Sequence, residues 1–236
     1  ERRRPQDGQF TTQYDGRQVD IRVSSVATIN GEKIVLRLLD SNRPTVELSD
    51  LGMSASQLKT FERMFSNNNG LILVAGPTGS GKSTTLHSAL KIVAVDYKNV
   101  VTIEDPVEYI VPGITQIPVH DANDAGFAVQ LRAVIRQDPD IILVGETRDA
   151  ETARISVQAA LTGHLVLSSI HATDSVGAIY RLFQMDIEPH LVASSLRGVL
   201  SQRLIRRICP YCKVTKPTNS RQRRILSNYG LQASEL

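Results

Sequence analysis

The segment Gly76–Ser83, with the sequence GPTGSGKS, constrains the fold of this chain more than any other feature. It fits the pattern G-x-x-x-x-G-K-[ST] in full, an apolar run (71–75) leads into it, and a helix-compatible segment (83–95) follows. A strand, a glycine-rich turn and a helix start in this order form a phosphate-binding loop, because backbone N–H groups curve around an anion at the positive end of a helix dipole. The sequence therefore predicts a nucleotide site, and a chance glycine turn does not account for the match at every position.

The side chains of this loop predict how the nucleotide is held. Lys82 is placed to reach the β- and γ-phosphates, and the hydroxyl of Ser83 is placed to ligate Mg²⁺. The predicted nucleotide-binding residues are Gly76, Pro77, Thr78, Gly79, Ser80, Gly81, Lys82, Ser83 and Thr84.

After the loop, short apolar runs alternate with helical patterns. Strands are predicted at 71–75, 100–103, 141–144 and 165–169, and helices at 83–95, 124–136 and 150–161. This alternation predicts a mainly parallel sheet covered by helices, the architecture of RecA-like phosphate-loop ATPases.

Residues 1 to about 50 carry β patterns instead. Turn signals at Asp15-Gly16 and Asn30-Gly31 separate three strand-like segments, 10–14, 19–23 and 33–39. A polar, turn-rich stretch follows and predicts a linker. Ser54 then caps a predicted helix whose apolar positions are Leu58, Phe61, Met64 and Phe65.

Two acidic groups follow predicted strands. Glu104 and Glu108 lie in IEDPVE, and Glu146 ends DPDIILVGE. Because the carboxyl ends of parallel strands share an edge of the sheet with the phosphate loop, these carboxylates are candidates to hold Mg²⁺ through its water ligands or to polarise an attacking water. The choice between Glu108 and Glu146 as the base stays open.

Two histidines, His164 and His171, bracket the predicted strand in GHLVLSSIHATD. We interpret them as candidate sensors of the γ-phosphate, since no third ligand has a spacing that suggests a metal site.

In this order, GPTGSGKST, IEDPVE, DPDIILVGE and GHLVLSSIHATD resemble the motifs of the secretion ATPases of type II secretion and type IV pilus systems. The likeness continues upstream through RPQDGQF, DIRVS and EKIVLRLLD, and downstream through SQRLIRRICPYC. It implies an α/β fold with a RecA-like P-loop NTPase core and a partial N-terminal α+β domain of PAS-like type. The domains expected from it are 1–50 (end of that domain), 51–56 (linker), 57–208 (ATPase core) and 209–236 (start of a truncated zinc element).

The resemblance also implies residue roles. Glu104 and Glu108 belong to its acidic box, with Glu104 expected to hold Mg²⁺ through water; Glu146 is the expected catalytic acid; and His164 and His171 form its histidine box. The remaining residues expected to act at the γ-phosphate or at subunit contacts are Arg22, Arg37, Arg132 and Arg136. A guanidinium offsets transition-state charge in phosphoryl transfer.

The pair Cys209 and Cys212 matches half of a tetracysteine zinc element of the assembly and secretion branch. Two thiolates alone do not close a tetrahedral shell, so zinc is expected in a longer protein rather than in this chain. The missing second pair and the lack of an initial Met suggest a piece of a larger protein.

The expected function is MgATP hydrolysis by a homo-hexameric motor, cytoplasmic and held at the inner membrane by platform proteins. Alternatives are a retraction ATPase with the same chemistry and a nucleotide-gated scaffold that barely hydrolyses ATP. A translocase on nucleic acid is disfavoured: the arginine-rich tail lacks interleaved aromatic residues, and the net charge is only +3. No apolar run reaches the roughly 20 residues of a membrane-spanning helix.

Overall fold

The computed structural model describes residues 4–39, 46–94, 97–119 and 126–230. The chain divides into two compact units, Glu1–Leu204 and Ile205–Leu236. Within the described ranges, no helix combines the length and the apolar character needed to cross a bilayer. The domain boundaries expected from the sequence stay a prediction.

The N-terminal strands form an antiparallel sheet of three, β1 (Gln6–Tyr14), β2 (Arg17–Thr28) and β3 (Gly31–Leu39), in that order. The three strand predictions are confirmed. Asp15 and Gly16 make the first turn with φ of 51° and 72°, the left-handed conformation that tight hairpin turns require. The second turn was predicted one residue too late: Thr28 pairs with Gly31, so Ile29-Asn30 is the loop and Gly31 (φ 125°) starts the strand.

A short 3-10 helix (Leu48–Leu51) precedes α1 (Ala55–Met64). The predicted cap is confirmed, because the Ser54 side chain accepts from the Gln57 N–H while the Gln57 side chain accepts from the Ser54 N–H. Phe61 of this helix is fully buried and packs edge-on against Phe65 at a centroid distance of 4.9 Å.

The central sheet is parallel throughout and has the strand order β6-β5-β7-β8-β4-β9. Its strands are β4 (Gly70–Ala75), β5 (Val100–Glu104), β6 (Thr115–Pro118), β7 (Ile141–Val144), β8 (Leu165–Ile170) and β9 (Leu196–Ser201). The four inner strands are buried along their whole length, which explains their continuous apolar runs and why the sequence predicted them. The edge strands β6 and β9 are only partly buried, and the sequence did not predict them.

Helices cover both faces of this sheet. They are α2 (Lys82–Val93), α3 (Phe127–Ile135), α4 (Ala150–Leu161), α5 (Ser175–Gln184) and α6 (Pro189–Ser195), while α7 (Ser220–Asn228) belongs to the second unit. The last three were not predicted. The predicted end of α2 at Val95 and the predicted start of α3 at Asp124 lie outside the described residues, as do residues 41–45 of the turn-rich stretch and residues 231–236.

Alternate residues of β4 show how the layers are built. Leu71, Leu73 and Ala75 pack into one core cluster together with α3, α4, α5 and α6, whereas Ile72 and Val74 pack into a second cluster with α1 and α2. The result is a helix–sheet–helix sandwich in which the carboxyl ends of β4, β5, β7 and β8 lie along one edge. That edge carries the site.

Candidate nucleotide site

The phosphate loop joins β4 to α2. Gly79 and Gly81 have φ of 74° and 86°, values that glycine adopts without strain, and a Cβ at Gly76 would lie 2.4 Å from Ser80 Oγ. Lys82 is buried, and its ammonium donates to the carbonyl oxygens of Gly76 (3.0 Å) and Pro77 (3.1 Å). Burial lowers the pKa of Lys82, and the negative charge of Glu146 opposes that shift.

A cavity of about 200 Å³ lies beside the loop. It brings together eight of the residues singled out in the sequence: Thr78, Gly79, Lys82, Ser83, Glu104, Glu108, Glu146 and His171. A glycine-rich loop at a helix start, a lysine and a hydroxyl fit a nucleoside triphosphate with Mg²⁺, and the three carboxylates lie where they could contact the water ligands of that ion.

Each oxygen of the Glu146 carboxylate lies within contact distance of a side-chain nitrogen. The Arg148 Nε donates to Oε2 at 2.7 Å, and the His171 Nε2 lies 2.8 Å from Oε1. Arg148 was not predicted from the sequence, although its position two residues after the strand-end acid could have suggested it. The structure thus places His171, which follows the carboxyl end of β8, in contact with Glu146.

Glu104 is 3% exposed and lies in a dense network. Its Oε1 accepts from the Thr102 hydroxyl (2.6 Å) and the Gln116 amide (3.1 Å). The His87 Nε2 lies 3.1 Å from Oε2, an ion-pair distance without hydrogen-bond alignment. Burial alone would raise the pKa of Glu104, but its partners, His87 first, hold this pKa below its ordinary value.

His87 projects from α2 and was not predicted. It is 2% exposed, and its Nδ1 lies 2.9 Å from the Ser83 carbonyl oxygen. Burial alone would lower the pKa of His87, yet its interaction with the Glu104 carboxylate, together with the Ser83 contact, raises it above the ordinary value. A buried charged pair therefore ties the helix of the phosphate loop to the end of β5.

The segment that carries Glu108 is held by Gln116 on β6. The Gln116 amide group donates to the Tyr109 carbonyl at 2.8 Å, and its oxygen accepts from the Val111 N–H at 2.8 Å. The Tyr109 hydroxyl also lies 3.3 Å from the Thr84 hydroxyl on α2. These contacts fix the acidic segment against the phosphate-loop helix, and Gln116 too was missed because it lies outside every motif.

The structure does not bring His164 to the cavity. It precedes β8, so the strand's six residues separate it from His171 by about 20 Å at the usual rise per residue. Its Nδ1 lies 3.0 Å from the Ala159 carbonyl oxygen at the end of α4, and its own carbonyl accepts from the Gly70 N–H.

The predicted arginines lie outside the cavity lining. Arg22 donates to the Asp105 carboxylate at 3.3 Å and is paired across the β2–β3 ladder with Arg37. Arg132 forms an ion pair with Glu151 on α4, and Arg136 donates to the Arg132 carbonyl at 2.9 Å. Their roles at the γ-phosphate stay a prediction.

Cys209 and Cys212 are free and exposed. Hydrogen bonds from the Tyr211 and Cys212 backbone N–H groups lower the pKa of the Cys209 thiol, because they stabilise its thiolate. Within the described part of the chain, no group of three or more His, Cys, Asp or Glu side chains is placed to hold a metal ion.

A family model described as "Type II/IV secretion system protein" matches residues 1–235. The chain belongs to this family. It is 52% identical over 214 residues to "Type II secretion system protein HxcR" of Pseudomonas aeruginosa, a match that covers 91% of this chain and 46% of that protein. It is 49% identical over 228 residues to "Type II secretion system ATPase E" of Vibrio cholerae, a match that covers 97% of this chain and 45% of that protein. The chain spans about half the length of these relatives.

Solved structures of secretion ATPases share the fold. The pilus retraction motor PilT with bound ADP superposes with a TM-score of 0.70 at 33% identity, over 86% of this chain and 60% of that one. The ATPase DotB of Legionella pneumophila superposes with a TM-score of 0.69 at 24% identity, over 86% of this chain and 58% of that one. At this identity the likeness supports the shared fold and nothing further. The expected family and the RecA-like α/β core are therefore confirmed.

Proposed function

We propose that this member of the secretion ATPase family hydrolyses ATP with Mg²⁺ and acts as the motor of type II secretion or type IV pilus assembly. The observation that carries the proposal is the single cavity shared by the phosphate loop, Lys82, Ser83 and the carboxylates of Glu104, Glu108 and Glu146. The name of the Vibrio cholerae relative, "Type II secretion system ATPase E", agrees with that chemistry.

The residues divide the chemical work. Lys82 exchanges the carbonyl oxygens of Gly76 and Pro77 for phosphate oxygens, which restores the solvation that its buried ammonium lacks. Ser83 and, through water, Glu104 would hold Mg²⁺, which when bound neutralises charge between the β- and γ-phosphates. Zinc has no role in this proposal; Cys209 and Cys212 would serve it only with two further ligands from a longer chain.

Glu146 is the proposed base for the attacking water, with Glu108 as the alternative. Each Glu146 oxygen has one partner, Arg148 or His171, and keeps a further lone pair that can accept a proton from water. A γ-phosphate is a strong competitor for the Arg148 guanidinium.

The four predicted arginines are proposed to act between subunits of a homo-hexamer. Arg22, Arg37, Arg132 and Arg136 would approach the γ-phosphate or the subunit contact, where a guanidinium can accelerate transfer about 10³- to 10⁵-fold. Partners would be inner-membrane platform proteins that hold the ring at the cytoplasmic face, and no nucleic acid is needed.

Assembly or secretion is preferred over retraction as the direction of work. Type II secretion relatives are about 50% identical to this chain, whereas the retraction motor PilT is 33% identical. The Cys209–Cys212 pair agrees with the assembly and secretion branch.

The test is Glu146→Gln. It keeps the side-chain volume but removes the base, so ATP turnover should fall at least 100-fold while the Kd for ATP stays within threefold of the unmodified protein. Glu188→Gln on the exposed start of α6 is the matched control and should turn over normally. Unchanged turnover in Glu146→Gln removes Glu146 from the mechanism.

Specific activity measured against protein concentration distinguishes a motor from a scaffold. If a neighbouring subunit completes the site, specific ATPase activity rises as the protein assembles. For a nucleotide-gated scaffold, specific activity stays near zero at every protein concentration. If specific activity does not rise with protein concentration, the proposed motor is contradicted.

A further inference from the structure

Gln202 lies directly behind the phosphate loop, at the residue that follows β9. Its backbone N–H donates to the Ala75 carbonyl at 2.9 Å, and its side-chain Nε2 donates to the Ser80 carbonyl at 2.6 Å. Ala75 immediately precedes the loop, and Ser80 lies within it. One residue just after an edge strand is therefore hydrogen-bonded both to the end of β4 and to the loop that would hold phosphate.

The packing around Gln202 is close. A Cβ at Gly76 would lie 2.7 Å from the Gln202 carbonyl oxygen, and a Cβ at Gly81 would lie 3.2 Å from its Nε2. The Gln202 Oε1 is buried and has no hydrogen-bond partner among the described residues. The hydrogen bond from Gln202 Nε2 to the Ser80 carbonyl is therefore the one that orients the side chain.

The bond to Ser80 has a direct consequence for the anion site. In a planar trans peptide, the carbonyl of one residue and the N–H of the next point in opposite directions. When Gln202 holds the Ser80 carbonyl towards the rear of the loop, the Gly81 N–H of the same peptide unit is turned towards the front. Backbone N–H groups at this position, before the first turn of α2, are those that cradle phosphate.

The Lys82 ammonium also holds the loop, through the Gly76 and Pro77 carbonyls, and these bonds do not involve the Ser80–Gly81 peptide. Pro77, Thr78 and Gly79 are exposed, and the Ser80 N–H donates to the Pro77 carbonyl at 3.2 Å. Without the Gln202 bond, the peptide between Ser80 and Gly81 could rotate, because Gly81 tolerates both hands of φ. Nucleotide binding would then have to order the Ser80–Gly81 peptide, which would make the binding free energy less favourable.

We propose that Gln202 is a positioning residue for the phosphate loop: its amide orders the Ser80–Gly81 peptide before nucleotide arrives and so raises nucleotide affinity. The inference rests on the proposed function for the identity of the ligand. It assigns a role to a residue that lies about 120 positions from the loop in sequence.

The experiment compares Gln202→Met with the unmodified chain. Methionine keeps the length and approximate volume of the side chain but has no donor, and the backbone bond to Ala75 remains. Gln184→Leu, at the exposed end of α5, is the control that also removes a glutamine amide. The Kd for ADP is measured by calorimetry, and amide hydrogen exchange is measured on the nucleotide-free protein.

The expected result is a Kd for ADP raised about threefold to tenfold in Gln202→Met, the range of one intramolecular hydrogen bond. Amide exchange should become faster in residues 78–82 and stay unchanged in β8 and α4. Gln184→Leu should match the unmodified chain in both measurements.

A Kd within twofold of the unmodified value overturns the positioning role. Faster exchange spread equally over β8 and α4 also overturns it, because a general loss of stability would produce that pattern. If the unmodified chain binds no ADP, the proposed function fails, and the exchange measurement still decides whether Gln202 orders the loop.

Discussion

The buried pair of His87 and Glu104 gives the sharpest prediction of stability. His87→Leu fills most of the same space but removes the cation that faces the Glu104 carboxylate at 3.1 Å, where both side chains are at most 4% exposed. Removing one partner of a buried ion pair costs about 3–5 kcal/mol, because it leaves an uncompensated charge. Glu104 keeps its bonds from Thr102 and Gln116, so we expect the lower end, about 3 kcal/mol.

This loss should depend on pH with a defined sign. The folded-state pKa of His87 is raised, so its contribution is complete below its ordinary value of 6.5 and is lost as pH rises through the higher folded-state value. The folded-state pKa of Glu104 is lowered, so its contribution is present above its ordinary value of 4.5 and is lost as pH falls through the lower folded-state value. The effect of His87→Leu should therefore be largest between about pH 4.5 and 6.5 and smaller at pH 9.

Urea unfolding followed by far-UV circular dichroism measures this effect, since the chain has no tryptophan for fluorescence. His190→Leu is the control, because His190 is exposed and its contact with Glu188 lies at the surface. A loss below about 0.5 kcal/mol, the range of surface substitutions, would refute the reasoning. So would a loss of 3 kcal/mol that is the same at pH 5.5 and pH 9.

Two further substitutions test the surroundings of the site. Ser54→Ala removes the oxygen that accepts from the Gln57 N–H and should cost about 1 kcal/mol in urea unfolding; a change of only a few tenths would contradict the capping role. Gln116→Leu deprives the buried Glu104 of one donor and leaves the Val111 N–H without its acceptor. It should cost about 2 kcal/mol and accelerate amide exchange at Val111, and an unchanged exchange rate there would show that other contacts hold the acidic segment.

The sequence predicted the inner part of the fold well. The strands β4, β5, β7 and β8 are buried on both faces, and such strands need continuous apolar runs that are visible in one dimension. Helix α4 was predicted at its observed limits, and the structure adds that the Asp149 side chain caps it by accepting from the Thr152 N–H. The edge strands β6 and β9 were missed, since an edge strand is half exposed and its residues carry no comparable pattern.

Part of the site was predicted because its residues follow strands that the sequence itself predicts. Lys82, Ser83, Glu146 and His171 follow buried strands, and a parallel sheet brings strand ends together. His164 and His171 were predicted at opposite ends of one strand and were given the same role, whereas the structure places only His171 at the cavity.

The sequence by itself determined the phosphate loop, the parallel core and the strand-end carboxylates, because local backbone geometry and burial leave a periodic or fixed-spacing record. Only the tertiary structure decided that His87 pairs with Glu104, that His171 contacts Glu146 and that Gln202 holds the loop from behind. These contacts depend on the strand order and on side-chain reach between elements. A polar side chain obtains its role from the partner that the fold places within hydrogen-bond distance, and in sequence that partner can be more than a hundred residues away.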